Sequence, residues 1–368
     1  MKDDFKNLRI AISGGGTGGH VYPALSLALA LKERGAEVLY VGTKGGFESR
    51  IVPGSGVPFA TVTARGWSAR PLKAVRALFS LSAGTFFALG LIGRFRPDLV
   101  IGAGGYVSLP VVAASRMLGR RILLIEQNVL PGKVTRFLSG WAEKICLSFE
   151  ESKEFLPSER CVVTGNPVRE EIVRRTREEG TRNLGMTETG FCLLVSGGSQ
   201  GAHSLNLAVL EGLKAWRENK WRVIHLTGKG DFEEMRERGE EIVGNAPLKY
   251  LPFPYLENMA DAYAVANLYV GRAGATVLAE ITARGLPGIL VPYPHAADNH
   301  QEKNARWFEK SGAGMVIPDG EVTEKLPRMV AEVAGKPELL FGMGENSKSL
   351  GRPGALEAIV NVVAGMLL

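Results

Sequence analysis

Short apolar runs rich in β-branched residues alternate along this chain with longer apolar or amphipathic stretches. The first short run, at residues 10–12, ends in a series of glycines, which is typical of a buried strand that stops at a tight turn. The stretch that follows, at 24–31, is apolar on nearly every side and predicts a helix packed on a sheet. A repeated order of strand and helix favours an α/β fold with parallel sheets.

The order of strand, glycine loop and helix opens both halves of the chain. It occurs at residues 10–31 and again at 191–216, where the glycine loop spans 196–202. Further strands are predicted at 37–43, 58–62, 97–101, 121–125, 144–149, 161–164, 221–226, 248–253, 268–271 and 288–292. We therefore expect two Rossmann-like, doubly wound domains that face each other across a cleft. The first is predicted at 1–165, with helix 355–368 packing back on it, and the second at 166–354.

Two further stretches predict helices in the second half. The charged residues 170–182 follow a break at 165–169 and predict one solvated helix leading into the second domain. Residues 255–266 predict another helix, before the strand at 268–271.

Composition narrows the protein class without changing this fold. The chain has 368 residues, and Lys and Arg exceed Asp and Glu by 44 to 38, which suits anionic ligands without requiring nucleic acid. Its three cysteines are far apart with no C-x-x-C pair, which argues against a disulfide framework or a zinc site. The charged start leads directly into a strand, so we expect no secretory signal and a cytoplasmic protein.

The segment at residues 64–96 is basic and contains no acidic residue. Its apolar run at 78–92 is shorter than the roughly 20 residues of a membrane-spanning helix. A core helix is one interpretation, and a surface resting on anionic lipid, with Trp67, Arg70, Lys73 and Arg76 beside it, is the other. Both hold if one face is buried and the other meets a membrane.

The glycine loop at residues 14–19 is the first candidate site. Glycines allow close approach of the main chain to a ligand, and a helix N-terminus attracts anions. His20 is the only titratable side chain there and is a candidate general base. The loop lacks the Lys-Ser/Thr of a P-loop, and the acidic residue of a dinucleotide fingerprint is ambiguous between Glu33 and Glu37. A Rossmann-like turn without a catalytic role is the alternative.

Further candidates lie in the later loops, each with a plainer interpretation. Arg169 and Ser199 suit phosphate, although Arg169 is also compatible with a surface arginine at a domain boundary. Glu280 suits the two hydroxyls of a ribose, although an isolated helix glutamate is more often exposed. His295, Asp298 and His300 match no standard zinc spacing, and no G-x-S-x-G elbow supports a hydrolase triad.

Six segments resemble, in order, those of the MurG family of bacterial glycosyltransferases. They are GGTGGHVYP at 15–23, GGYVS at 104–108, EQN at 126–128, GNPVR at 165–169, GGSQGA at 197–202 and residues 294–305. The resemblance implies a GT-B fold and inverting transfer of GlcNAc from UDP-GlcNAc to the 4-hydroxyl of the muramyl sugar of lipid I. The product is lipid II, the precursor of peptidoglycan, and no metal or other cofactor is required.

The resemblance also implies where the ligands bind. The first domain takes undecaprenyl-pyrophosphoryl-MurNAc-pentapeptide (lipid I) and the second takes UDP-GlcNAc, with uracil at the main chain of Leu256, ribose at the turn to Glu280 and the sugar at Gln301. The family's UDP-GlcNAc positions match Thr17, Gly18, Gly19, Asn128, Arg169, Ser199, Leu256, Ala275, Thr276, Val277, Leu278, Ala279, Glu280 and Gln301. Ala273 stands where the family often has serine. The resemblance further implies a peripheral protein on the anionic cytoplasmic face of the membrane, with cell-wall synthesis proteins as partners.

The expected reaction is a direct displacement in which His20 is the base and Glu126 the reserve candidate. Charge on the leaving diphosphate is stabilised by Ser199, nearby amides and Arg169. Four alternatives remain open: a glycosyltransferase for another lipid, a UDP-sugar epimerase, a dinucleotide-dependent oxidoreductase and a non-enzymatic UDP-sugar sensor.

Overall fold

The chain forms two compact units in a computed structural model that describes residues 4–65, 71–186, 190–198 and 200–368, without the side chains of 71–78. The first unit comprises residues 1–167 and 353–368, and the second comprises 168–352. Each has its own parallel sheet, so the predicted pair of doubly wound domains is confirmed.

The sheet of the first unit has seven parallel strands in the order β3-β2-β1-β4-β5-β6-β7. They are β1 (Arg9–Ser13), β2 (Glu37–Gly42), β3 (Phe59–Thr61), β4 (Leu99–Gly102), β5 (Arg121–Glu126), β6 (Lys144–Leu147) and β7 (Cys161–Val163). From β1 the chain proceeds to one side of the sheet, and from β4 it proceeds to the other. The crevice at the carboxyl ends of β1 and β4 is therefore the topological switch point, where open α/β sheets bind ligands.

Within the described residues, six α-helices accompany this sheet. They are α1 (Gly18–Glu33), α2 (Glu48–Ile51), α3 (Pro71–Phe95), α4 (Ser108–Met117), α5 (Lys133–Leu138) and, from the end of the chain, α15 (Ala355–Leu367). Ile359 and Val363 of α15 are fully buried in one core with Leu27 and Leu31 of α1. Apolar burial of this kind, at about 25 cal/mol per Å², holds α15 on the first unit.

Helix α3 has a buried and an exposed face. Ala88 and Ile92 are fully buried in a core cluster with strand residues of β1 and β4, whereas Phe79 and Phe86 are about three-quarters exposed (77% and 74%). One face of α3 is thus part of the core, as one of the two interpretations of this segment predicts. Within the described part of the chain, no helix has both the length and the hydropathy needed to cross a bilayer.

The second unit has six parallel strands in the order β10-β9-β8-β11-β12-β13. They are β8 (Cys192–Ser196), β9 (Arg222–Leu226), β10 (Lys249–Phe253), β11 (Leu268–Gly271), β12 (Gly288–Leu290) and β13 (Gly314–Val316). Its helices are α6 (Glu170–Arg174), α7 (Arg177–Asn183), α8 (His203–Trp216), α9 (Phe232–Val243), α10 (Met259–Val265), α11 (Ala275–Ala283), α12 (His300–Lys310), α13 (Val322–Ala334) and α14 (Pro337–Leu350). The switch point here lies between β8 and β11.

Two predicted helices are wrong in extent, and capping explains both. The single helix expected at 170–182 is two helices, because Thr176 and Glu179 form a capping box that starts α7. The Thr176 hydroxyl accepts from the Glu179 N–H at 3.2 Å, and the Glu179 carboxylate accepts from the Thr176 N–H at 2.9 Å. Helix α10 begins at Met259 rather than 255, because the Asn258 side chain caps it by accepting from the Ala260 N–H.

Candidate active site

The two glycine loops of the first unit touch at its switch point. The loop after β1 leads into α1, and the loop after β4 leads into α4. Gly105 has a φ of +75°, and a Cβ at this position would lie 2.3 Å from the carbonyl oxygen of Gly15. A side chain would both strain the backbone and separate the loops, so their contact depends on glycine.

His20 lies at the junction of these loops, in the first turn of α1. Its Nδ1 is 3.2 Å from the hydroxyl of Thr17, the exposed residue that precedes the helix. The opposite edge of the ring packs on Gly104, where a Cβ would lie 2.7 Å from His20 Cδ2. The imidazole is therefore held between two loops at the carboxyl edge of the sheet, half-buried and with Nδ1 beside the exposed Thr17.

Glu48, at the start of α2, is a structural residue of this site that sequence reasoning missed. Its carboxylate is fully buried and accepts from the Gly16 N–H at 3.1 Å, from the Thr43 N–H at 2.9 Å and from the Thr43 hydroxyl at 2.7 Å. Burial, and secondarily the Glu48 charge, raise the pKa of Tyr106 in the neighbouring loop. Glu48 thus fastens the first glycine loop to the end of β2.

Glu126 and Asn128 lie at the end of β5 and bond to each other. The Glu126 carboxylate accepts from the Asn128 N–H at 3.0 Å, from the Asn128 side-chain amide at 3.2 Å and from the Gly132 N–H at 3.1 Å. Three donors on a buried carboxylate shape the loop that follows. This favours His20 over Glu126 as the base, because the Glu126 oxygens are already engaged.

Glu280 lies in α11 of the second unit and is buried, unlike the exposed helix glutamate of the plainer interpretation. It accepts from the Tyr263 hydroxyl at 2.9 Å, and one of its oxygens is 3.5 Å from a guanidinium nitrogen of Arg169. Burial raises the pKa of Glu280, and Arg169 and Tyr263 partly offset that rise. Arg169 also pairs with Glu171 at 3.2 Å, so it is an ion-paired residue, although its side chain is 32% exposed.

Gln301, in α12, has its amide orientation fixed by the loop after β12. Its Oε1 accepts from the Tyr293 N–H at 2.9 Å, which leaves the side-chain NH₂ as a donor. Arg272, which sequence reasoning also missed, anchors this loop by donating to the Val291 carbonyl at 3.1 Å and to Asp319 at 2.6 Å.

The metal interpretation of the loop at 293–300 has no geometric support. Among the residues with described positions, no three His, Cys, Asp or Glu side chains converge as a metal site. His300 Nδ1 lies 2.7 Å from the Ala297 carbonyl and acts as a local helix-start contact.

Both halves of the chain resemble known glycosyltransferase domains. The glycosyltransferase family 28 N-terminal domain matches residues 10–147, and the family 28 C-terminal domain matches residues 192–359. A relative from Moorella thermoacetica is 43% identical over 368 residues, which is 97% of this chain and 98% of the relative. It is named UDP-N-acetylglucosamine–N-acetylmuramyl-(pentapeptide) pyrophosphoryl-undecaprenol N-acetylglucosamine transferase. This chain belongs to the MurG family.

Solved structures agree with that membership. Acinetobacter baumannii MurG has a TM-score of 0.79 at 27% identity, with 97% of this chain and 99% of that chain covered. UDP-GlcNAc 2-epimerase from Neisseria meningitidis, bound to UDP-GlcNAc, has a TM-score of 0.68 at 12% identity over 97% of this chain and 99% of that one, and shares the fold alone. The GT-B fold class predicted for this MurG-family chain is confirmed.

The predicted site residues of this MurG-family chain fall into two groups. Thr17, Gly18, Gly19, His20, Glu126 and Asn128 lie at the carboxyl edge of the first sheet. Arg169, Leu256, Ala275, Thr276, Val277, Leu278, Ala279, Glu280 and Gln301 lie in the second unit, where Leu256 is in the loop between β10 and α10. Ser199 lies outside the described residues.

Proposed function

We propose that this chain is the hexosyltransferase that moves GlcNAc from UDP-GlcNAc to the 4-hydroxyl of the MurNAc of lipid I, with inversion, to form lipid II. The observation that carries this proposal is 43% identity, over nearly the whole chain, to a transferase of that name. Because the product is a peptidoglycan precursor, we also propose roles in cell-wall synthesis, cell shape and cell division, alongside other cell-wall synthesis proteins.

The donor binds in the second unit. Glu280 accepts from the ribose hydroxyls, Gln301 donates to sugar hydroxyls through its free NH₂, and the Leu256 main chain contacts uracil. Arg169 and Ser199 bind the diphosphate, together with N–H groups of the glycine loop. The 3.5 Å pairing of Arg169 with Glu280 supports this proposal, because the diphosphate and the ribose for which the two side chains are proposed are neighbouring parts of the donor.

The acceptor binds in the first unit, at the loops around His20. His20 takes the proton of the 4-hydroxyl as that oxygen bonds to the anomeric carbon from the face opposite UDP. The bond from that carbon to the diphosphate oxygen breaks, and its electron pair leaves with UDP. The imidazolium then releases the proton to solvent. Base assistance of this kind contributes roughly a hundred- to ten-thousand-fold.

The test is a reaction with UDP-GlcNAc and a lipid I analogue. We expect UDP and glycosylated lipid in equal amounts, with a β-linked product from the α-linked donor. UDP release without glycosylated lipid would indicate hydrolysis or epimerisation, and an NADH fluorescence titration that saturates would indicate an oxidoreductase. Transfer to another lipid but not to the lipid I analogue would support a glycosyltransferase with a different acceptor.

The raised pKa of Glu280 predicts pH-dependent donor binding. A raised pKa keeps the carboxyl protonated above its ordinary range, so Glu280 ionises as the pH rises through the shifted value. Because an ionised carboxylate accepts hydroxyl hydrogen bonds more strongly, affinity for UDP-GlcNAc is expected to rise about tenfold and then level off. Calorimetry from pH 5 to 8 measures the affinity for UDP-GlcNAc, and Glu280→Gln should abolish its pH dependence. An unchanged dependence in that variant would exclude Glu280 as its source.

We also propose that the protein is peripheral, on the cytoplasmic face of the cell membrane. Three phenylalanines of α3, Phe79, Phe86 and Phe87, are at least 60% exposed, and Arg94 and Arg96 are exposed at the end of the same segment. An exposed aromatic stripe beside basic residues suits an anionic lipid surface.

Charge reversal on the basic segment is expected to weaken membrane binding. Arg70 lies outside the described residues, as do the side chains of Lys73 and Arg76, but their charges are fixed by the sequence. Replacing all three with glutamate should reduce co-sedimentation with phosphatidylglycerol vesicles several-fold at low salt, and less at high salt. The matched control reverses Arg217, Lys220 and Lys249 in the second unit. Vesicle binding that changes neither with the charge reversal nor with the salt concentration would contradict the proposal that this segment faces lipid.

A further inference from the structure

The middle residue of the EQN segment, Gln127, has no role in the function proposed so far. Its side chain is 1% exposed, and its amide NH₂ donates to the Ala103 carbonyl at 3.1 Å. This bond fixes the orientation of the amide. The carbonyl oxygen Oε1, on the other side of the amide, has no hydrogen-bond partner among the described residues. Buried side-chain oxygens are almost always paired, so this one indicates a donor that is absent from the resting arrangement.

The surroundings of Gly104 indicate that donor. A Cβ built on Gly104 would lie 3.4 Å from Gln127 Oε1 and 3.0 Å from His20 Nε2, so both atoms border the space that a side chain at Gly104 would occupy. The absence of a side chain at Gly104, whose φ is +88°, leaves that space open. His20 Nδ1, on the far side of the ring, lies at Thr17 and the exposed mouth of the loop.

We propose that Gln127 is a positioning residue for His20, whose Oε1 accepts the Nε2–H of the imidazole when the acceptor substrate binds. This inference rests on the proposed function of His20 as the base. A neutral histidine carries one proton, so holding it on Nε2 leaves Nδ1 with a lone pair. Nδ1 is then the atom that removes the proton from the acceptor hydroxyl. Before the substrate binds, the Thr17 hydroxyl donates its hydrogen bond to Nδ1.

Gln127 also keeps its place after the proton moves. Once Nδ1 has taken the proton from the attacking hydroxyl, both ring nitrogens are donors, and Oε1 continues to accept from Nε2. The new positive charge is therefore hydrogen-bonded inside the protein, while the Nδ1 proton faces the mouth, where it passes to solvent. No other group has to change protonation state.

Nitrogen NMR of the histidine-labelled protein tests the tautomer directly. Two-bond ¹⁵N–¹H spectra of the full chain with UDP and a lipid I analogue should show His20 protonated at Nε2, assigned by the loss of its signals in His20→Gln. Gln127→Met keeps the length of the side chain but removes the oxygen, and should give a mixture with the Nδ1–H form. We expect kcat to fall about tenfold in this variant, because only a fraction of molecules hold the competent tautomer, with KM for UDP-GlcNAc unchanged.

Gln127→Glu keeps an oxygen toward the ring and is expected to restore the Nε2–H tautomer that Gln127→Met loses. Thermal melting of both variants shows whether they are folded before the tautomers are compared. An Nδ1–H tautomer in the wild-type complex, or a tautomer unaffected by Gln127→Met, would overturn the proposal. Failure of this proposal is distinguishable from failure of the proposed function, since the tautomer is measured without turnover and the transfer assay on the wild-type chain does not involve a change at Gln127.

Discussion

Replacing His20 with alanine is expected to lower kcat roughly a hundred- to ten-thousand-fold, while UDP-GlcNAc binds as before. The reason is that His20 is not among the expected UDP-GlcNAc contacts, of which Arg169, Glu280 and Gln301 lie in the second unit. Removing the base thus leaves the donor contacts in place. Steady-state transfer assays give kcat, and calorimetry with UDP-GlcNAc gives the affinity.

His20→Gln is the matched control for this prediction. Glutamine retains a polar group of similar reach beside Thr17 but cannot accept a proton near neutral pH. If packing against Gly104 were the role of His20, glutamine would preserve much of the activity that alanine loses. If the role of His20 is to remove the proton, both variants lose activity to a similar extent. Full turnover in His20→Ala would remove His20 from the mechanism.

Replacing Glu48 with glutamine is expected to lower the free energy of unfolding by about 2–3 kcal/mol and to reduce kcat as well. The buried carboxylate accepts from the N–H groups of Gly16 and Thr43 and from the Thr43 hydroxyl. A glutamine has only one accepting oxygen, so its NH₂ would face N–H donors and leave at least one of them unpaired. The glycine loop that carries Thr17 and leads into His20 would then shift. Denaturant unfolding and the transfer assay measure the two effects.

Glu33→Gln is the control for Glu48→Gln. It removes the same negative charge, but from an exposed position at the end of α1. It should alter the free energy of unfolding by less than about 0.5 kcal/mol. Equal stability of the two variants would mean that the Glu48 hydrogen bonds do not hold the loop. Lower stability of Glu48→Gln with normal kcat would mean that the loop keeps its position without them.

The fold could be predicted from local pattern because parallel sheets bury both faces and therefore use nearly continuous apolar strands. β1, β5, β8 and β11 are such strands, and the glycines that follow β1 and β8 mark the turns into α1 and α8. The break between α6 and α7 was missed because it depends on one capping box in a charged stretch. α9, α13 and α14 were not predicted, although α9 follows Gly228 and Gly230 closely.

Parts of the site depend on contacts between distant segments, which a single sequence does not display. His20 was recognisable because it stands alone in a glycine loop, but nothing near Glu48 in the sequence separates it from an exposed glutamate at a helix start. Its role follows from the backbone of Gly16, 32 residues earlier. The burial of Glu280 likewise results from Tyr263 and Arg169, the latter 111 residues away.

The return of α15 to the first unit affects how the protein is made. The polypeptide emerges from the ribosome in order, yet Ile359 and Val363 complete a core whose other members are synthesised near the start. The first unit therefore cannot reach its final packing until α15 has been synthesised, whereas residues 168–352 form a continuous stretch that can fold earlier. In the interval the apolar side of α1 that α15 covers is open to chaperones.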